Sequence, residues 1–324
     1  MNALAGLSMV GKPVYVPRVF GSCLRRLSAT IATPAIVLGC MPAWFTLHAH
    51  VGEPLLCSIA LQSVIVSMLV GLEVAIPHPA LSPRPSGTLP AMVFYNLASV
   101  ALAVVLPSLV YVPLARAGGQ VLGLTALWPG SWPIWAHVLV VVLIVDFNSY
   151  WWHRLSHRPP ARLEWAWRLH SVHHAPTHFD FWMGPQVHPL DVTIFGLVGY
   201  AFVALVGAPP LAIEAGAFFA SIVGAVHHLR AETRCGWLNR VIPFGDSHVV
   251  HHSRLPEEDG NYGNITALFD QLFGTYREPR TTPAAVGAWS MAPDYPQRDV
   301  MFQLMSPFGE RWQHAKRQPG DLRE

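Results

Sequence analysis

The sequence predicts an all-α fold. It reads as an integral membrane helical bundle of about four transmembrane helices plus a short helical hairpin, with a cytosolic histidine-rich helical cap. Three observations lead there. Of 324 residues, 52% are hydrophobic, mean hydropathy is +0.34, and only 12% are charged, about half the roughly 25% that dresses a soluble domain. Four apolar runs long enough to cross a bilayer precede residue 153. Twelve of the seventeen histidines then fall between residues 153 and 252. The net charge of +2 is too small to argue for nucleic acid. The cysteines Cys23, Cys40, Cys57 and Cys235 are scattered, without a C-x-x-C pair, and point to neither a disulfide framework nor a zinc ribbon.

Each element follows in chain order. Residues 1–28 form a cytosolic segment in which Lys12, Arg18, Arg25 and Arg26 precede the first apolar run, with no A-x-A cleavage site. A spanning helix needs about 20 mostly apolar residues, and the candidates are 29–48, 55–77, 91–114 and 132–152. A further apolar stretch, 192–226, is split by Gly207-Ala208-Pro209-Pro210 and has room for a hairpin of two short helices. With the basic N-terminus inside, four crossings return the chain to the cytoplasm at residue 153. Arg154, Arg158, Arg162 and Arg168 follow there, in agreement with that orientation. The hairpin leaves and re-enters on one side, so both termini and every histidine cluster share the cytoplasmic compartment. Residues 29–278 thus form the membrane-embedded domain, and 279–324, rich in proline and charge, a cytosolic tail over the cap.

The histidine spacings carry the chemistry. They are His153-x3-His157, His170-x2-His173-His174, His188 in "QVHPLD", the pair His227-His228, and His248-x2-His251-His252. Positions i, i+3 and i+4 share a helix face, so each cluster presents two or three ring nitrogens to one side. One such pair on one helix is commonly incidental; three clusters in one compartment are not. Imidazole ligates iron, zinc, copper and nickel, and eight or more histidines exceed what one tetrahedral metal uses, so two metals are the economical reading. An H-E-x-x-H protease needs a glutamate where "HRLSH" has Arg154. The glutamates of soluble di-iron bundles are missing as well. Asp146 and Tyr150 fall on one helical stripe with His153 and His157 and are the candidate catalytic residues beside the ligands. Asp146 is expected to orient a ligand histidine, because a carboxylate in a membrane segment needs a polar partner. His178 reads as loop or supporting residue; His48, His50, His78, His137 and His314 read as structural or interfacial.

These motifs, "DFNSYWWHRLSH", "LHSVHH", "VHPLD", "HVVHHS" and "NYGNITALFDQLFGTY", resemble the fatty acid hydroxylase/sterol desaturase superfamily of integral-membrane histidine-rich di-iron oxidases, over residues 146–276. The resemblance implies two non-haem Fe ions, O2 as co-substrate, and a lipid substrate that is hydroxylated or desaturated at an aliphatic C–H position. By motif it assigns His153, His157, His170, His173, His174, His248, His251 and His252 as ligands. It adds His228 or the adjacent His227 after the returning helix, and His188 as ligand or structural residue. One departure stands out: many members carry an asparagine two residues after the returning-helix histidine, whereas this chain reads "HHLRAET". Zinc could occupy the same nitrogens in a purified sample. No haem-attachment motif or cysteine cluster is present, so electrons come from an external donor, a ferredoxin or cytochrome system. The aromatics Trp151, Trp152, Trp165, Trp167, Phe179, Phe181 and Trp182 either anchor the interface or line a substrate channel. The four arginines from 154 to 168 are expected at lipid headgroups, and 261–276 as a loop and short helix closing the cap. The alternative from another class is a membrane metal transporter or metal-binding sensor, which would place ligands at the bilayer midplane.

Overall fold

A computed structural model describes residues 22–288 and 295–309; Lys12, Arg18 and His314 lie outside them. About 68% of the described residues are helical. The elements are α1 (Ser22–Val51), α2 (Pro54–Ala75), α3 (Leu89–Val121), α4 (Ile134–His157), α5 (Glu164–His174), α6 (Pro189–Leu205), α7 (Pro210–His227), α8 (Gly245–His251), α9 (Leu268–Leu272) and α10 (Val300–Met305). Among the described residues two isolated bridges, Pro77 with Ala231 and Ser253 with Val286, are the nearest approach to a sheet.

The long helices run up and down. At one end Arg25 of α1 donates to the carbonyl of Pro77 just past α2 (2.9 Å), and Ser99 of α3 donates to that of Pro185 just before α6 (2.7 Å). At the other end Arg116 of α3 reaches the Ala208 carbonyl in the α6–α7 turn. That turn holds Gly207 at φ +98°, where a Cβ would lie 2.4 Å from the Thr125 carbonyl oxygen, so only glycine lets it seat there. The C-terminus of α4, the N-terminus of α6 and the C-terminus of α7 consequently emerge at the same end of the bundle.

Side-chain burial explains the bundle. Trp44, Leu69, Val141, Val203, Ile222 and Val223 are fully enclosed between helices. Outward positions are equally apolar: Leu38, Val74, Leu97 and Leu109 are 70%, 70%, 68% and 72% exposed. Each such side chain left in water would forgo about 1.5–3 kcal/mol of burial, and a hydrocarbon surrounding removes that loss. Five helices have the length and composition to cross a membrane: Arg25–Val51, Pro54–Ala75, Leu89–Val121, Ile134–His157 and Pro210–His227. The chain is a multi-pass membrane protein.

Two details differ from expectation. The second arm of the hairpin, α7, has 18 residues and is about 27 Å long at 1.5 Å per residue, close to the ~30 Å hydrocarbon core. Pro209 and Pro210 start this helix rather than interrupt it, since proline suits the first helical position. The third span widens into π turns at Ala101–Val105 and Pro107–Tyr111. Pro107 has no N–H for the carbonyl four residues back and its ring displaces it.

Candidate metal centre

Four pieces of chain bring histidines to the common end of the bundle. His153 and His157 occupy the last turns of α4; His170, His173 and His174 sit on α5; His228 follows α7; and His248, His251 and His252 belong to α8 and the residue after it. They sort into two groups: His153, His157, His170, His174 and His251, and then His173, His228, His248 and His252, each with its ligand atoms within 4.8 Å of one another. The sorting follows helix geometry. In α5 the i, i+4 pair 170/174 serves the first group and His173 the second, whereas in α8 the pair 248/252 serves the second and His251 the first. Adjacent residues on a helix point about 100° apart, so each H-x-x-H-H stretch spans both groups. The two are neighbours, with His174 and His252 stacked at 4.3 Å between ring centroids.

Hydrogen bonding decides which nitrogens face inward. His153 Nδ1 lies 2.8 Å from the Tyr262 carbonyl and His251 Nδ1 2.7 Å from the Gly260 carbonyl. His170 Nδ1 lies 2.8 Å from Asp191 Oδ2, and His157 Nδ1 3.3 Å from Asp259 Oδ1. Carbonyl and carboxylate oxygens only accept, so each Nδ1 carries the proton and each Nε2 holds a lone pair. The Nε2 atoms of His153, His170 and His251 are buried without any hydrogen-bond partner, a state that costs about 1–3 kcal/mol per group and that a metal relieves. In the second group, Nε2 of His228 is 3.2 Å from those of His173 and His252, and His248 Nε2 is 3.1 Å from His228 and 3.2 Å from His252. Nitrogens around one tetrahedral ion at 2.0–2.1 Å would be separated by about 3.3 Å. The donor set, its burial and its spacing fit two metal ions.

The electrostatics agree. Burial, then neighbouring imidazoles, hold His173, His174, His248, His251 and His252 well below the ordinary imidazole pKa. Burial and His227 bring His228 down to about 3. Neutral imidazole is the ligating form. Asp259 moves down despite burial, because the hydrogen bond and charge of His157 favour its carboxylate.

Four expected site residues lie elsewhere. Asp146 touches no histidine; its carboxylate accepts from the backbone N–H groups of Asn264, Ile265 and Thr266 and from the Thr266 hydroxyl. His153 is seven residues along the helix, about 10 Å, beyond a carboxylate's reach. Tyr150 bonds Thr275 (2.9 Å) and accepts from Arg154 (3.1 Å), away from the ring nitrogens. His188 caps α6, accepting from the Leu190 N–H at Nδ1, and its Nε2 lies 3.1 Å from the Leu304 carbonyl, so both ring nitrogens are used. His227 stacks on His248 at 4.6 Å outside both groups, because consecutive helix residues cannot face the same point. His178 is buried 3.9 Å from Asp180 and also lies outside.

Asp191 and Asp259, absent from the expected set, are the histidines' carboxylate partners. Asp191 stood in view as the acid of "VHPLD"; with His188 capping the helix, the acid three residues on faces His170. Its other oxygen accepts from Trp152 Nε1 at 2.9 Å. The aromatics divide. Trp151 and Trp165 are 41% and 43% exposed, whereas Trp167 packs on His157 at 5.3 Å and Phe179 stacks on His228 at 5.7 Å. Three of the four arginines have partners within the cap: Arg154 with Tyr150, Arg158 with Asp259, and Arg168 with Glu164.

Residues 138–275 match the fatty acid hydroxylase family. The chain is 29% identical over 187 residues to an ornithine lipid hydroxylase of Rhizobium tropici, covering 57% of this chain and 54% of that protein. It is 27% identical to an alkylglycerol monooxygenase of Caenorhabditis elegans (47% and 28% covered) and 30% identical to a Delta(7)-sterol 5(6)-desaturase of Gibberella zeae (50% and 43% covered). The chain thus spans about half or less of the length of these relatives. No solved structure matches it. The matched region contains every histidine of both groups, and over it the chain resembles the fatty acid hydroxylase/sterol desaturase superfamily.

Proposed function

We propose that the protein is a membrane-bound non-haem di-iron oxidoreductase that uses O2 and external electrons to hydroxylate or desaturate an aliphatic C–H position of a lipid. The observation that carries this reading is the pair of adjacent histidine groups with their Nε2 lone pairs converging. His153, His157, His170, His174 and His251 would hold one ion, and His173, His228, His248 and His252 the other. Iron bound there supplies the redox chemistry that activates O2 against an unactivated C–H bond, a task beyond side-chain acids and bases. Hydroxylation balances as R–H + O2 + 2e⁻ + 2H⁺ giving R–OH + H2O. Desaturation removes two hydrogens from adjacent carbons and gives two waters.

The chain's own residues orient and enclose. Asp191 and Asp259 fix the tautomer of two imidazoles and raise their basicity, while Trp167 and Phe179 cover the groups and exclude water. An apolar groove of about 830 Å3 between α4 and α6, lined by Val140, Ile144, Phe147, Trp151, Trp152 and Phe202, offers an acyl chain a surface beside the site. All nine ligands cluster at one end of the bundle rather than at its midplane, which favours an enzyme over a transporter. Arg25 and Arg26 at that end favour a cytoplasmic site, within reach of a soluble ferredoxin or cytochrome donor.

The test is mass spectrometry of lipids from aerated cells with and without the protein, supplied with a competent reductase. A +16 product is expected for hydroxylation or a −2 product for desaturation, and His173→Ala abolishes either. Identical lipid profiles would overturn the reading.

A further inference from the structure

Residues 261–276 were expected only to close the cap, yet the stretch from Asp259 to Thr275 supplies three acceptors to a single histidine group. The Asp259 carboxylate receives His157, the Gly260 carbonyl receives His251, and the Tyr262 carbonyl receives His153. Three of the five imidazoles in the first group therefore take their orientation from four successive residues.

Two carboxylates hold that stretch in place. Asp270 accepts from the N–H groups of Tyr262 (2.8 Å) and Gly263 (2.7 Å) and from the Thr275 hydroxyl (2.6 Å). Because the Thr275 hydrogen goes to Asp270, the Tyr150 hydroxyl, 2.9 Å away, donates to Thr275. Asp146 accepts from three consecutive N–H groups, Asn264 to Thr266, the shortest at 2.8 Å. A Cβ on Gly263 would sit 2.2 Å from the Thr266 carbonyl oxygen and 2.9 Å from Asp270 Oδ2, so the tight loop requires glycine. Asn261 ties the far side to α8, donating to the Ser247 carbonyl (3.3 Å). Asp146, Tyr150, His153 and His157 lie on one stripe of α4. Its first half anchors the loop, and its second half supplies ligands that the loop orients.

We propose that residues 259–275, anchored by Asp146, Tyr150 and Asp270, form a positioning clamp that sets metal affinity at the first histidine group and leaves the second untouched. The proposal rests on the two-metal reading above. The second group takes none of its outward hydrogen bonds from this stretch; His173 Nδ1 faces the Gln186 carbonyl instead, at 3.3 Å.

The experiment uses the full chain in detergent, stripped of metal and titrated with Co2+ by absorption spectroscopy. His252→Ala disables the second group, so the remaining site reports the first; His153→Ala does the reverse. Asp259→Asn and Asp270→Asn should weaken Co2+ binding about 10–100-fold in the His252→Ala background and leave it unchanged in the His153→Ala background. Unchanged binding in both, or equal weakening in both, overturns the clamp. If Asp270→Asn fails to fold, Asp259→Asn, at the half-buried start of the loop, decides alone. A wild-type chain that binds fewer than two equivalents overturns the two-metal reading, and the clamp with it.

Discussion

The two histidine groups share helices but differ in what stands behind them. In the first, four of five imidazoles pass their outer N–H to a fixed acceptor, and two of those acceptors are the carboxylates Asp191 and Asp259. In the second, His173 makes a long contact to a carbonyl at 3.3 Å, and the Nδ1 atoms of His248 and His252 are buried without a partner. A carboxylate behind an imidazole raises its basicity and fixes its ring. On the two-metal reading, the first site is the preorganised, tight one and the second the looser, more exchangeable one.

The largest expected effects come from deleting ligands on either side of that comparison. His174→Ala and His252→Ala should each lower bound metal from two ions per chain to one, measured by elemental mass spectrometry, and each should abolish product. Loss of both ions from either variant would mean that the groups are not separable sites. A smaller effect is expected from Asp191→Asn, which keeps the shape but removes the charge facing His170. Metal affinity of the tight site should fall about 10–100-fold with the loose site unchanged, and equal loss at both would break the asymmetry.

Acidity gives a graded effect on the metal-free chain. Folded His228 protonates near pH 3, whereas an unfolded histidine does so near 6.5. Between those values the unfolded state binds more protons, so stability falls as pH drops from about 6.5 toward 3 and is flat above 7. Thermal unfolding across pH 4 to 8 checks the sign; rising stability in acid would contradict burial of neutral imidazoles. Smallest of all should be His227→Gln and His188→Gln. Both keep two ions, with a stability change on the order of 1 kcal/mol, and loss of an ion from either would restore that histidine to the ligand set.

Most of the bundle was legible because lipid imposes a simple rule: the backbone must satisfy itself, so apolar runs of the right length become helices. The hairpin was legible for the same reason, with its arms underestimated because Pro209-Pro210 reads equally as a break and as a helix start. Nine of the eleven expected ligands converge, since i, i+3, i+4 spacing survives folding. Allocation of each imidazole to one group or the other was not legible. It depends on how α5 and α8 face one another, which local spacing does not encode. Asp146 and Tyr150 share the ligand stripe of α4, but Asp146 partners residues 264–266 rather than a histidine and Tyr150 bonds Thr275, because a loop more than a hundred residues away reaches them first. Asp259 carried no local signal, since nothing in "EEDG" links it to His157.

The alternation of His173 with His174, and of His251 with His252, makes a single peptide unit the ruler between two centres. Helices in a bilayer shift and tilt against each other as its thickness varies, and a separation set by helix packing would drift with them. Here one residue step on each of two helices spans the gap. On each of these helices the interval between the two histidine groups is therefore set by covalent geometry rather than by the membrane around it.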